Sequence, residues 1–255
     1  MKISTERFSD RVENYVRYRP SYPEAVVETL IDECCLGATS LVADLGSGTG
    51  IFTRHLLDKQ LRVMAVEPNE EMRQAAVAMS SGYDRFTSIN GSAEESTLKD
   101  ASVDLIVAAQ AFHWFRHDEA QTEFARILKP DGWIALVWNE RNLQQGFQKE
   151  YDALLHQYVP EYGSVDHRNV SDEVIAQMLS PEGFRRHRFD NFQLFDQESF
   201  FGRMRSSSYT PSVETPEYAT LLAAAERLFA KYEKNGKISF EYETQLYVGK
   251  LKSGK

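Results

Sequence analysis

Three glycines at alternate positions, Gly46, Gly48 and Gly50, lie between an apolar run and a segment with helical spacing. The run Leu41–Leu45 predicts a strand, so the glycines form the turn that leads from this strand into a helix. A glycine-rich turn brings bare backbone against a ligand at the carboxyl end of a sheet. A dinucleotide-binding turn usually has its third glycine one residue later, where this chain has Ile51, so a nicotinamide cofactor fits this spacing less well.

Two acidic residues accompany the glycine turn. Glu67 ends the second predicted strand, about 20 residues past the turn, where a carboxylate can accept hydrogen bonds from both hydroxyls of a ribose. The alternative for Glu67 is an exposed carboxylate at a strand end. Asp44 precedes the glycines and either lies near the ligand or only stabilises the turn by accepting backbone N–H groups.

Alternating strands and helices are predicted to position these residues. The helices include one with a capping box at Ser21–Glu24, one capped by Asn69, and others near residues 118–129, 172–179 and 218–232. Strands are predicted at Leu41–Leu45, Leu61–Glu67, Asp84–Ile89, Val103–Ala109, Trp133–Trp138, Arg188–Phe195 and Gln245–Leu251. The pattern predicts an α/β fold with a mostly parallel sheet of seven strands and helices on both faces.

The chain has 255 residues and a formal net charge of −9, so it has no excess of cations for binding phosphates. We therefore expect no nucleic-acid partner. The polar N-terminus and the absence of an apolar run of about 20 residues predict no membrane association and a location in the cytoplasm.

Cysteine and histidine spacing indicates no metal site. Cys34 and Cys35 are adjacent and are predicted to be reduced thiols at the end of a helix. His113 and His117 are four residues apart, but no carboxylate or cysteine completes a recognisable ligand set. No metal is expected.

Five segments in order carry a family resemblance: Val42–Gly50, Val66–Pro68, Gly91–Glu94, Val103–Val107 and Leu128–Gly132. Together they resemble the successive motifs of class I S-adenosylmethionine-dependent methyltransferases, and the resemblance covers about residues 10–140. Tyr15–Pro23 and Gln110–Phe115 are similar to the small-molecule methyltransferases of the trans-aconitate methyltransferase group. The resemblance implies a Rossmann-like fold, S-adenosylmethionine as the cofactor, and methyl transfer to a small molecule.

The resemblance also implies roles for individual residues. The amino-acid part of the cofactor would contact Asp44, Gly46, Ser47, Gly48 and Gly50, while Glu67 would hold the ribose. The remaining cofactor contacts would come from Pro68, Met72, Ser92, Ala93 and Glu94 around the adenine, from Gln110 near the methionine, and from Tyr18 and Arg19 closing over it. Arg19 is alternatively a surface ion-pair residue.

His113 is the best candidate for a catalytic base, because its ordinary pKa lies near neutrality. The alternative is that His113 only lines the pocket. The acceptor atom is expected to be an oxygen of a carboxylate or a hydroxyl. Residues 110–113 lack the Asn or Asp followed by Pro-Pro that methyltransferases of amino groups in nucleic-acid bases and glutamine carry. Two other functions stay open: a catalytically silent S-adenosylmethionine-binding protein, and a nicotinamide-dependent oxidoreductase.

The resemblance divides one predicted domain, residues 1–255, into three parts. About residues 1–36 would form a helical cover, 40–140 the cofactor-binding core, and 141–255 acceptor-site insertions with the final strands. Aromatic residues of the last part are predicted to form a lid: Phe147, Tyr151, Tyr158, Tyr162, Phe200, Phe201 and Tyr209. A polycarboxylate acceptor would need cations, for which Arg116, Arg141, Arg203 and Arg205 are available.

Overall fold

A computed structural model describes residues 16–143, 145–160, 162–164, 171–179, 183–207 and 209–251. The seven strands are β1 (Leu41–Leu45), β2 (Arg62–Val66), β3 (Phe86–Ile89), β4 (Val103–Ala109), β5 (Leu128–Arg141), β6 (Arg185–Phe195) and β7 (Ile238–Gly249). The α-helices of the described part are α1 (Glu24–Glu33), α2 (Ile51–Asp58), α3 (Glu70–Met79), α4 (His117–Ile127), α5 (Gly146–Tyr158), α6 (Asp172–Met178), α7 (Gln197–Arg205) and α8 (Pro216–Tyr232). Short 3-10 helices lie at Phe112–Trp114 and Tyr162–Ser164.

The strands form one sheet in the order β3-β2-β1-β4-β5-β7-β6. The first five strands are parallel, while β7 runs antiparallel to both β5 and β6. The sheet order reverses between β1 and β4, and open α/β sheets bind ligands at the carboxyl ends of strands at such a point. The predicted seven-stranded α/β fold is confirmed.

The position of β4 in the middle of the sheet explains why its sequence is almost continuously apolar. Leu105 and Val107 pack into a cluster on one face of the sheet, and Ile106 and Ala108 pack into a cluster on the other. Alternate side chains of a strand point to opposite faces, so a strand covered by helices on both sides needs apolar residues at nearly every position.

Two local predictions differ from the structure. α1 begins at Glu24 after Pro23 and has no side-chain cap, so the predicted capping box at Ser21 is wrong. The Ser21 hydroxyl is instead 2.7 Å from Nε2 of His55. β5 begins at Leu128, five residues before the predicted start, because residues 129–132 lie in a register shift within the strand.

Asn69 behaves as predicted, since its side chain accepts a hydrogen bond from the backbone N–H of Met72 at the start of α3. Cys34 and Cys35 are free cysteines directly after α1, as predicted. In the described part of the chain, no helix is long and apolar enough to cross a membrane.

The C-terminal aromatic residues form a third hydrophobic cluster, built from α5, α7, α8 and the ends of β6 and β7. The buried members include four of the predicted lid residues, Phe147, Tyr151, Tyr162 and Phe200. Phe200 lies 5.5 Å from both Phe147 and Tyr151, measured between ring centroids. Much of the predicted lid is therefore packed core, while Tyr158, Phe201 and Tyr209 are only partly buried.

Candidate active site

A cleft opens at the carboxyl edge of the sheet, between the ends of β1 and β4. Its floor is the glycine turn, and its far wall is the segment that follows β4. The lining residues are Tyr22, Asp44, Gly46, Ser47, Gly48, Thr49, Ile51, Phe52, Ala109 and Gln110. The structure therefore brings together the turn, Asp44 and Gln110, as the sequence predicted.

The glycine turn needs its glycines for two reasons. Gly46, Gly48 and Gly50 have φ values of +68°, +56° and +78°, which other residues adopt only at a cost in energy. A Cβ on Gly46 would also lie 2.7 Å from Cβ of Ala111. The backbone N–H groups of Gly46 and Ser47 both donate to the carbonyl of Val66, which ties the turn to β2.

Glu67 holds the turn from the other side. Its two carboxylate oxygens accept hydrogen bonds from the backbone N–H groups of Gly48 (3.0 Å) and Asn69 (2.9 Å). The residue is 9% exposed, and burial raises its pKa, against the two backbone hydrogen bonds that lower it. A carboxylate has about four acceptor positions, so Glu67 keeps capacity for further donors. Glu67 is thus buried beside the turn, and the alternative of an exposed strand-end carboxylate is wrong.

Asp44 is buried beside the turn and has one hydrogen-bond partner among the residues that the structure describes. Oδ2 accepts a hydrogen bond of 2.6 Å from the hydroxyl of Thr53, and Oδ1 has no hydrogen-bond partner among the described residues. The proposal that Asp44 accepts backbone N–H groups is therefore wrong. Burial raises the pKa of Asp44 to about 7, and the charge of Glu67 adds to the increase against the Thr53 hydrogen bond.

The raised pKa of Asp44 predicts a pH-dependent stability. The unfolded chain ionises this carboxyl near 3.8, whereas the folded chain keeps the proton until about pH 7. The folded state binds the extra proton between these values, so the free energy of unfolding falls as pH rises from about 4 to about 7. We expect Asp44→Asn to remove up to roughly 4 kcal/mol of this dependence.

The measurement is urea unfolding of both proteins between pH 4 and pH 8. The difference between wild type and Asp44→Asn isolates Asp44 from the other titrating groups. A difference that stays constant across this range would mean that Asp44 is ionised in the folded protein throughout.

Gln110 and His113 follow β4 at the edge of the cleft. Gln110 has a φ of +54°, uncommon for a residue other than glycine, and its side chain donates to the Asn139 carbonyl at 3.4 Å. His113 lies in the 3-10 helix Phe112–Trp114, partly buried, with its ring 4.9 Å from that of Trp114 between centroids. His117 stacks on Phe112 instead, 4.4 Å away between ring centroids.

The N-terminal segment packs on the C-terminal part of the chain. Tyr18 is 7% exposed and lies against Gly202 of α7, where a Cβ would be 2.1 Å from the tyrosine ring. The guanidinium of Arg19 donates to the Ser206 carbonyl at 2.9 Å. The carbonyls of Tyr18 and Arg19 both accept from the Gln193 side chain. Tyr15 and the residues before it lie outside the described residues.

Two of the four candidate cations for an acidic acceptor come together. The guanidinium carbon of Arg141, at the end of β5, is 5.8 Å from the ring centroid of Tyr151, and the charges of Arg141 and of Arg203, on α7, both act to lower the pKa values of Tyr151 and Tyr209. Arg116 pairs with Glu119 on the surface, and no ion pair is found for Arg205 within the described ranges. Sequence reasoning could not find this, because Arg203 on α7 is far from Arg141 along the chain.

The chain is similar to known methyltransferases in sequence. A family model described as a methyltransferase domain matches residues 43–136. An uncharacterized methyltransferase of Mycobacterium bovis is 33% identical over 205 residues, which is 79% of this chain and 76% of that protein. A methyltransferase-like protein of Schizosaccharomyces pombe is 34% identical over 158 residues, 62% of this chain. The chain spans only 60% of the length of that second relative.

The chain belongs to the methyltransferase family. A solved structure from Anaeromyxobacter dehalogenans, described as a candidate type II methyltransferase, has a TM-score of 0.63 at 23% identity and covers 91% of this chain and 98% of its own. The phosphoethanolamine N-methyltransferase 2 of Haemonchus contortus, solved with S-adenosylhomocysteine, has a TM-score of 0.55 at 13% identity, covering 96% of this chain and 58% of its own. At these identities the likeness shows the class I methyltransferase fold.

S-adenosylmethionine is the cofactor of this methyltransferase, and the polar atoms of the cleft suit its amino-acid part. Among the described residues, Asp44 Oδ1, Ser47 Oγ and Thr49 Oγ1 are buried polar atoms without a hydrogen-bond partner, and all three residues line the cleft. Buried polar atoms are normally hydrogen-bonded, so such atoms in one cleft are suited to a polar ligand. A carboxylate and two hydroxyls are suitable partners for an amino-acid ammonium and carboxylate.

The residues predicted to contact the adenine are not among those that line this cleft. Met72 is 3% exposed, and its sulfur lies 3.6 Å from where a Cβ of Gly48 would be, so Met72 supports the turn from below. Pro68 is exposed. The Ser92 hydroxyl accepts from the backbone N–H groups of Glu94 and Glu95, which shapes the loop after β3.

Ala93 and Glu94 in this loop contact the rest of the fold. Ala93 is buried in the core. Oε1 of Glu94 accepts a hydrogen bond of 2.8 Å from the backbone N–H of Arg116. Burial alone would raise the pKa of Glu94. The hydrogen bonds from the Arg116 backbone N–H and the Ser92 side chain outweigh burial, so the pKa of Glu94 is below its ordinary value. The Glu94 carboxylate therefore ties the loop after β3 to the start of α4.

Sequence reasoning missed residues that line or support the cleft. Tyr22 lines it and packs edge-on against Phe52 with ring centroids 5.0 Å apart. Asn139 is 3% exposed and links Thr244 of β7 to the Ser21 carbonyl. The sequence signal that could have pointed to Asn139 is its place directly after the predicted strand Trp133–Trp138.

Proposed function

We propose that this methyltransferase transfers the methyl group of S-adenosylmethionine to an oxygen, of a carboxylate or a hydroxyl, on a small-molecule acceptor. The observation that carries cofactor binding is the cleft at the carboxyl edge of the sheet, where Asp44, Ser47 and Thr49 present buried polar atoms with no partner among the described residues. The acceptor would enter beside Gln110 and His113, which follow β4 at the same edge.

The chain's own residues would bind and orient the cofactor. The turn at Gly46, Ser47, Gly48 and Gly50 would receive the amino-acid part, with Asp44 accepting from its ammonium group. Glu67 would accept from the ribose hydroxyls while its backbone hydrogen bonds keep the carboxylate in place.

The remaining predicted residues would complete the cofactor site. Pro68 and Met72 would flank the adenine, and Ser92, Ala93 and Glu94 would form its edge. Gln110 would face the methionine side, and Tyr18 with Arg19 would cover the cofactor. The bound cofactor supplies an electrophilic methyl group on a sulfonium.

Alignment and exclusion of water would supply much of the rate. Displacement at a sulfonium methyl disperses positive charge, so holding the acceptor oxygen in line within a dry pocket favours the reaction. A hydroxyl acceptor must lose a proton, and His113 would accept it. A carboxylate acceptor is already ionised and needs no base.

We therefore predict that the effect of His113→Gln depends on the acceptor. With a hydroxyl acceptor the variant should lose on the order of 10²-fold or more in turnover. With a carboxylate acceptor the loss should be small. S-adenosylhomocysteine binding should be unchanged in both cases.

The experiment is transfer of labelled methyl from S-adenosylmethionine to a panel of small alcohols, phenols, carboxylic acids and amines. Transfer to an oxygen acceptor supports the proposed function. Transfer to amines alone would overturn the oxygen assignment, and transfer to no member despite cofactor binding would favour a silent binding protein.

A further inference from the structure

Thr53 differs from the other threonines of the described helices in the bond that its hydroxyl makes. Thr29, Thr122 and Thr220 each donate to the carbonyl four residues earlier, at 2.8 Å, 3.1 Å and 3.0 Å. That is the ordinary local bond of a threonine in a helix. Thr53, in α2, donates instead to Oδ2 of Asp44 in β1, at 2.6 Å. The bond therefore joins the strand before the glycine turn to the helix after it.

This bond divides the two oxygens of Asp44 between the fold and the cleft. Thr53 is 0% exposed and Asp44 is 1% exposed, so water does not compete for the bond. Oδ2 has the Thr53 hydroxyl, whereas Oδ1 has no hydrogen-bond partner among the described residues, and Asp44 lines the cleft. Because a carboxyl group is planar, holding Oδ2 also fixes the direction of Oδ1. One oxygen is held by the fold, and the other is left for a ligand.

The charge of Asp44 depends on a small set of neighbours. Burial raises its pKa to about 7, the bond from Thr53 opposes the increase, and the charge of Glu67, which follows β2, adds to it. Arg73 of α3 acts on Glu67 and lowers the pKa of that residue. Among the other residues that line the cleft, Tyr22 alone is titratable. A cation at Oδ1 would favour the ionised form of Asp44, against the effect of burial.

We propose that Thr53 is a positioning residue of the cofactor site, whose hydroxyl holds Oδ2 of Asp44 so that Oδ1 meets the ammonium group of the cofactor as a carboxylate. This inference rests on the proposed function. When the cofactor enters, a protonated Asp44 releases its proton to the solvent, and the ammonium group keeps its own protons. A hydroxyl that donates to the ionised carboxylate favours that form. Cofactor binding is therefore coupled to the loss of a proton from the site.

A purely structural role for Thr53 has a different consequence. If the bond only joined β1 to α2, its removal would weaken cofactor binding by the same factor at every pH. If the bond also holds Asp44 in its ionised form, its removal moves the pH at which binding weakens. The pH profile of the affinity separates these two roles.

The test is calorimetric titration of the full chain with S-adenosylhomocysteine between pH 5.5 and pH 8, a range in which the ammonium group of this ligand stays protonated. We expect the affinity of the wild type to fall about tenfold for each pH unit below about pH 7. Titration at pH 6 in two buffers of different ionisation enthalpy should count about one proton released for each ligand bound.

The comparison ligand is the analogue of S-adenosylhomocysteine in which hydrogen replaces the amino group. It keeps the ribose and the adenine, so a proton lost by Glu67 or by another group near them would be released with both ligands. We expect the affinity for the analogue not to fall as the pH decreases, and its binding to release no proton. Equal proton release with the two ligands overturns the inference.

Thr53→Val keeps the shape of the side chain and removes the hydroxyl. We expect it to move the fall in affinity upward by about one pH unit, which makes binding about tenfold weaker than that of the wild type below pH 7. Thr53→Ser keeps the hydroxyl and should restore the wild-type profile. Thr29→Val is the matched control, because the hydroxyl of Thr29 donates to the Ala25 carbonyl of its own helix, and its profile should equal that of the wild type.

Thermal unfolding checks that each variant folds, and Thr53→Ala, with the best helix former, replaces Thr53→Val if the valine variant does not fold. Identical pH profiles for the wild type and the variant without the hydroxyl overturn the inference and leave the proposed function standing. Wild-type affinity that does not change with pH has the same meaning. If the wild type does not bind S-adenosylhomocysteine at any pH in the range, both the inference and the proposed function are wrong.

Discussion

Gly46→Ala is expected to lower both the stability of the protein and its affinity for S-adenosylhomocysteine. The backbone has a φ of +68°, which costs an alanine about 1–2 kcal/mol. The new Cβ would also be 2.7 Å from Cβ of Ala111 and 3.3 Å from the Phe115 ring, so the turn or the segment after β4 must move. Because both form the cleft, we expect a tenfold or greater loss of affinity and a lower melting temperature.

Gly82→Ala is the matched control, since no heavy atom lies within 4 Å of its Cβ position and its φ is not positive. Gly48→Ala separates backbone strain from steric overlap, because Gly48 has a φ of +56° but the nearest atom to its Cβ position, Met72 Sδ, is 3.6 Å away. Calorimetry and thermal unfolding of the three variants measure the effect. A Gly46→Ala protein that binds like Gly82→Ala would show that the turn does not shape the site.

Glu67→Gln should reduce affinity for S-adenosylhomocysteine by about 10²-fold. The carboxylate accepts from two backbone N–H groups, those of Gly48 and Asn69, and hydrogen bonds to a charged group contribute about 1.5–3 kcal/mol each. An amide of the same shape turns an NH₂ group toward one of these donors. The turn then loses a support, and the proposed ribose contact loses an acceptor.

Glu70→Gln is the control, because Glu70 is exposed and accepts only from the side chain of Gln74 among the bonds that the structure describes. Equilibrium binding at pH 7.5 compares the two variants with wild type. Equal affinities for all three proteins would remove Glu67 from the binding site.

Local sequence patterns predicted the strands and helices from β1 to β4, because each pattern specifies the structure of the few residues that carry it. The run Leu41–Leu45 is β1 to the residue, and β4 has the predicted limits Val103–Ala109. Glycines, a cap at Asn69 and continuous apolar runs act within a few residues. The five ordered motifs resemble those of class I methyltransferases, and this resemblance implied the Rossmann-like topology of the sheet.

The C-terminal half was harder to predict because its elements depend on distant partners. α5 and α7 were missed: α7 contains Gly202, a poor helix former that is needed where Tyr18 packs against it. The aromatic residues looked like a lid because sequence cannot tell a buried aromatic cluster from an exposed one. Arg203 is buried, which sequence does not show because arginines are seldom buried.

The most direct test of the central claim is thermal unfolding of the purified chain with S-adenosylhomocysteine and, separately, with NAD. A ligand at 100 times its dissociation constant stabilises the folded state by about 2.7 kcal/mol, which for a chain of this size raises the melting temperature by roughly 5–10 °C. The proposed function predicts this rise with S-adenosylhomocysteine and none with NAD. A rise with NAD alone, or no rise with either ligand at saturation, would contradict it.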